Sequence, residues 1–203
     1  MLENQMMLLA VFERAALMLM TLFLLTRTRP FQRLFQKRDH TPAELVLVAA
    51  IFCLFAVFST YTGIPVEGAL INVRIIAIIS GGILFGPWVG IPAGVISGLH
   101  RYLIDMDGHT SIPCLIASII AGLLATWLHL RCRKSRLWLY GILAGMACEG
   151  LTMLLIWQLT EPHAVGVEIV SHIAYPMIAG ALCIGLIIKL VQDLDDEKEL
   201  IAA

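Results

Sequence analysis

The chain has 203 residues, of which 59% are hydrophobic and 14% charged, with a formal net charge of −1. Soluble domains carry about 25% charged residues, so this composition excludes an ordinary soluble protein and predicts an integral membrane protein in contact with lipid. No basic tract suits a nucleic acid, and the sequence motifs of serine hydrolases, P-loop enzymes and zinc proteases are absent, so neither nucleic-acid binding nor catalysis is expected. The cysteines lack the spacing of metal ligands, and no metal or cofactor is predicted.

Seven apolar segments predict an all-α membrane protein, built from an N-terminal helix and a six-helix core. They run over 6–26, 43–62, 69–85, 88–104, 111–130, 137–159 and 166–190. The first lacks a basic flank and a small-residue cleavage site, so it is predicted to be a retained helix and not a signal peptide. The third and fourth are short and only Gly86-Pro87 separates them, which predicts either two spans with a tight turn or a re-entrant hairpin.

The basic residues predict the orientation of the chain. Of the fourteen Lys and Arg residues, five lie in loop 26–40 and four in loop 131–136, with two more near the C-terminus. Because positively charged loops stay in the cytoplasm, both loops and the C-terminus are expected inside and the N-terminus outside. The loop 105–110 is then expected outside.

The last residues, QDLDDEKELIAA (192–203), are acidic and favour a helix. We expect residues 1–192 to form the membrane domain and residues 193–203 to begin a cytoplasmic connector. On this interpretation the chain is the membrane part of a longer protein.

Arg74 and Arg101 are the strongest candidates for a ligand site, because ionisable residues at membrane depth are costly and often functional. In the hairpin, both guanidiniums are expected about 18–21 Å from the turn, near the outer face. Two guanidiniums at similar depth would bind a small carboxylate, which arginine can hold through two hydrogen bonds. The alternatives for Arg101 are an ion pair with Asp105, one turn further on, and a side chain that reaches the outer interface.

Other polar residues at about this height are further candidates for contact with a ligand. They are Asn72, His100, Cys114, Ser118 and His172. Structural alternatives remain, because a buried cysteine usually behaves as a small hydrophobe and Asn72 equally suits a hydrogen bond between helices. Glu149, in the middle of segment 137–159, is interpreted as structural, with a transporter's proton carrier as the alternative.

Gly86, Gly90, Gly94 and Gly98 recur every fourth residue in GPWVGIPAGVISG (86–98). Small residues at this spacing allow helices to approach closely in lipid, where hydrophobicity does not drive association. The stripe therefore predicts helix packing and says nothing about a ligand.

In combination, these motifs resemble the sensor domain of LytS-type receptor histidine kinases, the five-transmembrane LYT receptor family. The resemblance covers nearly the whole chain and rests on NVR (72–74), GGILFGPWVG (81–90), GLHRYLID (98–105) and IPCLIAS (112–118). It implies a homodimeric receptor of the bacterial inner membrane. The longer protein would continue into a GAF-like domain and a histidine kinase that works with a LytTR-type response regulator.

For the pyruvate-sensing members, the resemblance implies that pyruvate binds near the outer face. By motif match, Arg74 and Arg101 are ligand-binding positions, and Cys114 is the cysteine that follows the loop. The hydroxyl residue that these members carry three places after the cysteine falls on Ala117, with Ser118 one position further on. A weaker likeness of 81–98 to the substrate-binding subunits of energy-coupling-factor transporters leaves a transporter or substrate-capture subunit as the alternative function.

Overall fold

The computed structural model describes residues 2–26, 41–66 and 69–202, which form a bundle of helices with one small antiparallel sheet. The helices are α1 (Leu2–Thr26), α2 (Pro42–Tyr61), α3 (Arg74–Phe85), α4 (Pro87–Ile104), α5 (Ser111–Arg131), α6 (Leu137–Leu159), α7 (His163–Gly180) and α8 (Leu182–Ala202). The strands are β1 (Ile64–Val66) and β2 (Ala69–Ile71), and a 3-10 turn covers Lys134–Arg136.

Four helical stretches within the described ranges are long and apolar enough to cross a membrane. They are Pro42–Tyr61, Ser111–Arg131, Leu137–Leu159 and His163–Asp193. The predicted all-α membrane fold is therefore confirmed. The predicted cytoplasmic loop 26–40 lies outside the described residues from residue 27 onward.

The segment predicted as an apolar helix over 69–85 is in fact a strand followed by a shorter helix. Residues 69–71 pair with β1, and α3 begins only at Arg74. Asn72 lies between them, and its Oδ1 accepts a hydrogen bond from the backbone N–H of Arg74 at 3.4 Å. Asparagine commonly makes such local bonds, which compete with a helix. The 12 residues of α3 extend about 18 Å, so this helix alone does not cross a hydrocarbon core of about 30 Å.

The turn predicted at Gly86-Pro87 is confirmed. Gly86 has φ 76°, a conformation that favours glycine, and Pro87 occupies the first turn of α4. The glycine packing is confirmed as well: a Cβ added to Gly94 would lie 2.5 Å from the carbonyl oxygen of Ser118, and one on Gly90 2.8 Å from Cα of Gly82. The backbones of α3, α4 and α5 therefore lie in close contact.

Helix α3 forms the centre of the bundle. All its residues except Leu84 are buried, and α2, α4, α5, α6 and α8 pack around it. Its isoleucines share one hydrophobic cluster with Ile184, Ile187 and Ile188 of α8. Because Arg74 is the first residue of this central helix, its side chain lies inside the protein and not against lipid.

The segment predicted over 166–190 divides into α7 and α8 at Ala181. The N–H of Ala181 lies 3.2 Å from the carbonyls of both Met177 and Ile178, which is a tightened helical turn. Pro176, one turn earlier, lacks an N–H and weakens the helix there. Helix α8 then continues through residue 192, the boundary predicted for the membrane domain.

Candidate functional site

A small cavity of about 30 Å³ lies where β2 and the start of α3 meet α5, α6 and α7. Six polar side chains contribute to its wall: Asn72, Arg74, Thr110, Cys114, Glu149 and Thr152. The rest of the wall is apolar and includes Met153 and Met177. A cavity of this size holds one or two water molecules.

Arg74 is the cation of this cavity, and its side chain is 2% exposed. Its Nε donates to the hydroxyl oxygen of Ser118 at 2.7 Å, and its Nη2 donates to the carbonyl of Cys114 at 3.1 Å. Its third nitrogen, Nη1, is buried and has no hydrogen-bond partner within the described structure. Two uncharged groups therefore hold the guanidinium in place and leave its third nitrogen without a partner.

The residues predicted beside Arg74 have distinct positions. Asn72 and Cys114 are buried and line the cavity. Ser118 does not line it, but its hydroxyl bridges the Nε of Arg74 and the carbonyl of Cys114, to which it donates at 2.6 Å. Ser118 therefore orients Arg74 and lies behind it.

Arg101 is fully buried but does not line the cavity. Its Nη1 lies 3.0 Å from Oδ2 of Asp105, and its Nη2 donates to Oγ1 of Thr110 at 3.0 Å. The ion pair with Asp105 was one of the alternatives for this arginine, and it is the arrangement in the structure. Arg101 reaches the cavity only through Thr110, whose side chain forms part of the wall.

The two predicted histidines are not brought to the cavity. His100 packs edge-on against Tyr61, with the ring centroids 5.1 Å apart. His172 is half-exposed, and its Nδ1 lies 2.9 Å from the carbonyl of Glu168 in its own helix. His100 precedes the buried Arg101, and His172 precedes the buried Ile173. Because one step along a helix rotates the side chain by about 100°, each histidine points to a different side from its buried neighbour.

Glu149, for which the sequence favoured a structural role, lies in the cavity wall. It is 3% exposed in the middle of α6, and its Oε2 is buried without a hydrogen-bond partner among the described residues. Glu149, Thr152, Met153 and Ile156 all line the cavity. Their spacing of three, four and seven residues places them on one face of α6, which was predictable from sequence, whereas the surroundings of that face were not.

A second cavity, of about 110 Å³, lies between α1 and α2 and is mainly apolar. Its one charged group, Arg14, donates to the backbone carbonyls of Thr62 and Ala10. Although this cavity is larger, Arg14 is already bonded to the protein, so the smaller cavity around Arg74 is the better candidate for an anion. No group of three or more His, Cys, Asp or Glu side chains in the described ranges is placed to hold a metal ion.

The fold defines a multi-pass membrane domain that contains a small internal cavity. The chain belongs to the five-transmembrane receptor family described as 5TMR of 5TMR-LYT, whose sequence profile matches residues 28–194. Membership makes it a sensor domain of the LytS type and favours a receptor over a transporter.

Several curated sensor proteins are similar to the chain. It is 58% identical over 197 residues to the sensor histidine kinase YpdA of Escherichia coli K12, a match that covers 97% of this chain and 35% of YpdA. It is 30% identical over 188 residues to the sensor protein LytS of Bacillus subtilis and 31% identical over 175 residues to the sensor histidine kinase BtsS of E. coli K12. Each of those two matches covers 83% of this chain and 31% of the relative. The chain therefore spans about a third of the length of these relatives, and no solved structure matches it.

Proposed function

We propose that the chain is the ligand-sensing membrane domain of a two-component sensor histidine kinase and that it binds a small carboxylate, with pyruvate the first candidate. The observation that carries this proposal is Nη1 of Arg74, a buried guanidinium donor without a partner in the described structure, in the wall of an internal cavity. Burying a charged donor without an acceptor is unfavourable, so an anion that accepts from it is stabilised.

The partners of Arg74 favour an anionic ligand. Its two occupied donors bond to the hydroxyl of Ser118 and the carbonyl of Cys114, both uncharged, so the positive charge stays available. A carboxylate at Nη1 would form a charge-assisted hydrogen bond, the stronger kind. Asn72, Cys114 and Thr110 then supply the polar surroundings for its other oxygens.

The size of the cavity suggests how binding could be transmitted. A volume of about 30 Å³ suits one or two waters, so a ligand of the size of pyruvate has to widen it. The wall also includes Met153 of α6 and Met177 of α7, and methionine adapts readily to a new shape. Widening would displace α7, which leads through Ala181 into α8, so the ligand would favour the conformation with the wider cavity.

The resemblance to the LytS-type receptors supplies the rest of the proposal. The domain would lie in the bacterial inner membrane as a homodimer, with its N-terminus outside and its C-terminus in the cytoplasm. Residues 193–203 would lead into the kinase domains of the longer protein, which would act on a LytTR-type response regulator. Arg101 would support the site through Thr110.

Titration of the purified domain with pyruvate tests the site. Loss of a hydrogen bond to a charged group costs about 1.5–3 kcal/mol, so we expect Arg74→Ala to weaken binding by roughly ten- to a hundredfold. Arg74→Lys should also weaken it, because one ammonium cannot reach Ser118, Cys114 and the ligand at once. The matched control is Arg131→Ala, at the exposed opposite end of α5, which should bind as the unaltered domain does. Unchanged affinity in Arg74→Ala would overturn the assignment.

A further inference from the structure

We propose that Glu149 is a second ligand contact in the cavity and that a monocarboxylate binds at Arg74 only when Glu149 carries a proton. The inference rests on the proposed function, since it concerns the same cavity. It adds a residue that the family motifs do not include and defines the net charge of the ligand.

The two unpartnered atoms of the cavity carry the argument. Among the described residues that line it, only Arg74 and Glu149 have a buried side-chain nitrogen or oxygen without a hydrogen-bond partner, Nη1 in one and Oε2 in the other. Such atoms are rare in folded proteins, and each one is costly. Within the described structure, no ion pair joins the two side chains. A ligand that bonds to both would satisfy both.

The charges around Glu149 are few. Four helices pack against α6, namely α3, α5, α7 and α8. The charged or titratable side chains that they place in the cavity wall are Arg74 from α3 and Cys114 from α5, while α7 contributes apolar residues and α8 contributes none. On α6 itself, Cys148 is the neighbouring titratable residue. Arg74 is therefore the one cation in the described wall of the cavity.

One guanidinium compensates one carboxylate. Arg101 does not supply a second compensating charge, because it is already paired with Asp105. With a ligand carboxylate on Arg74, an ionised Glu149 would place two negative charges in one small cavity, where weak screening makes their repulsion large. A proton taken from solvent by Glu149 removes this repulsion and turns its carboxyl into a hydrogen-bond donor.

The protonated carboxyl predicts the class of ligand. Its O–H would donate to an oxygen of the bound molecule, so the cavity suits a monocarboxylate with a second acceptor oxygen, such as a 2-oxo acid. A dicarboxylate would bring a second negative charge with no cation to meet it. We therefore expect binding to fall at least tenfold for a dicarboxylate of similar length.

The test measures the affinity of pyruvate for the purified domain between about pH 6 and pH 9, a range in which its carboxylate is fully ionised. If binding requires one proton on Glu149, the affinity of the unaltered domain falls by up to about tenfold per pH unit on the alkaline side. Glu149→Gln keeps the shape and removes the titration, so its affinity should not show this alkaline loss. The matched control is Glu168→Gln, an exposed carboxyl on the neighbouring helix α7, which should keep the pH dependence of the unaltered domain.

Each other outcome overturns the inference. If Glu149→Gln keeps the alkaline loss, another group takes the proton; if its affinity drops to that of Arg74→Ala, Glu149 acts as a carboxylate. Should that variant fail to fold, the binding enthalpy of the unaltered domain is measured in two buffers of different ionisation enthalpy. The difference gives the number of protons taken up on binding. Uptake of no proton at any pH overturns the inference. If the unaltered domain binds no monocarboxylate at any pH, the proposed function fails as well. If it binds one without the expected pH dependence, only the inference about Glu149 fails.

Discussion

Arg74 and Arg101 are both buried, but their partners differ in charge. Arg74 bonds to a hydroxyl and a carbonyl, whereas Arg101 bonds to the carboxylate of Asp105 as well as to a hydroxyl. An ion pair compensates the charge of a buried guanidinium, and uncharged acceptors do so only in part. Arg74, whose hydrogen-bond partners are uncharged, is therefore the better candidate for an anion receptor than Arg101, which is already in an ion pair.

The pair formed by Arg101 and Asp105 makes a prediction about stability. Asp105→Asn removes the negative charge beside a guanidinium with no exposed surface, so we expect the domain to lose about 1–3 kcal/mol and to melt at a lower temperature. Thermal unfolding of the purified domain measures this. Asp107→Asn, an exposed carboxyl in the same loop, is the control and should melt like the unaltered domain.

Pyruvate binding by Asp105→Asn also tests whether Arg101 supports the site or contacts the ligand directly. If Asp105 competes with the ligand for Arg101, its removal should strengthen pyruvate binding. If Arg101 only holds Thr110, binding should stay the same or weaken. A clear gain in affinity would contradict the supporting role proposed for Arg101.

The sequence predicted the height of these residues along their helices. It did not predict which of them line the cavity and which only support it. Counting 1.5 Å per residue from Gly86 places Arg74 and Arg101 at one end of the hairpin, and they do lie at the start of α3 and in the last turn of α4. The same count cannot show that Arg101 faces Asp105 or that Glu149 faces the cavity. Those contacts depend on how each helix is rotated about its axis, which is set by packing between helices.

At the scale of the helices, the glycine stripe of α4 determines where Arg74 finds its partner. Gly94 lies against the backbone of α5 at Ser118, and Ser118 is the residue whose hydroxyl accepts from Nε of Arg74. Close approach of α4 and α5 therefore positions the hydroxyl that holds Arg74, the cation of the proposed site. Packing and binding should respond together when this contact is altered.

Gly94→Ala tests that connection. The added Cβ would lie 2.5 Å from the carbonyl oxygen of Ser118, a backbone atom that cannot move without moving α5. We expect a loss of stability of about 1–3 kcal/mol and weaker pyruvate binding. Gly150→Ala is the control, because nothing lies within 4 Å of its added Cβ; it should leave binding unchanged and stabilise the helix by up to about 1 kcal/mol.

The sequence predicted that helices are present better than it predicted where each helix begins and ends. The turn at Gly86-Pro87 was predictable because both residues have strong local preferences. The strand at Ala69–Ile71 was not, since an apolar run suits a strand and a buried helix equally, and its pairing with Ile64–Val66 is a tertiary contact. The turn at Ala181 was equally inaccessible, because alanine itself favours a helix.

Across the whole molecule, charge is distributed unevenly between the two ends of the bundle. The loop after α5 carries Arg131, Arg133, Lys134 and Arg136, while loop 105–110 before it carries two aspartates and no Lys or Arg. The 21 residues of α5 extend about 31 Å, enough to cross the hydrocarbon core. The cavity borders loop 105–110 through Thr110, so the orientation of the chain decides from which side of the membrane the proposed ligand would enter.

Cysteine labelling in spheroplasts tests the orientation. Asp107 and Ser135 are exposed at opposite ends of α5, so each is replaced by cysteine in a Cys132→Ser background, where the other described cysteines are buried. Because positive loops stay inside, we expect a membrane-impermeant maleimide to label Asp107→Cys in intact spheroplasts and Ser135→Cys only after permeabilisation. The reverse pattern would place the cavity toward the cytoplasm and make an internal carboxylate the ligand. Labelling of both positions in intact spheroplasts would mean that α5 does not cross the membrane.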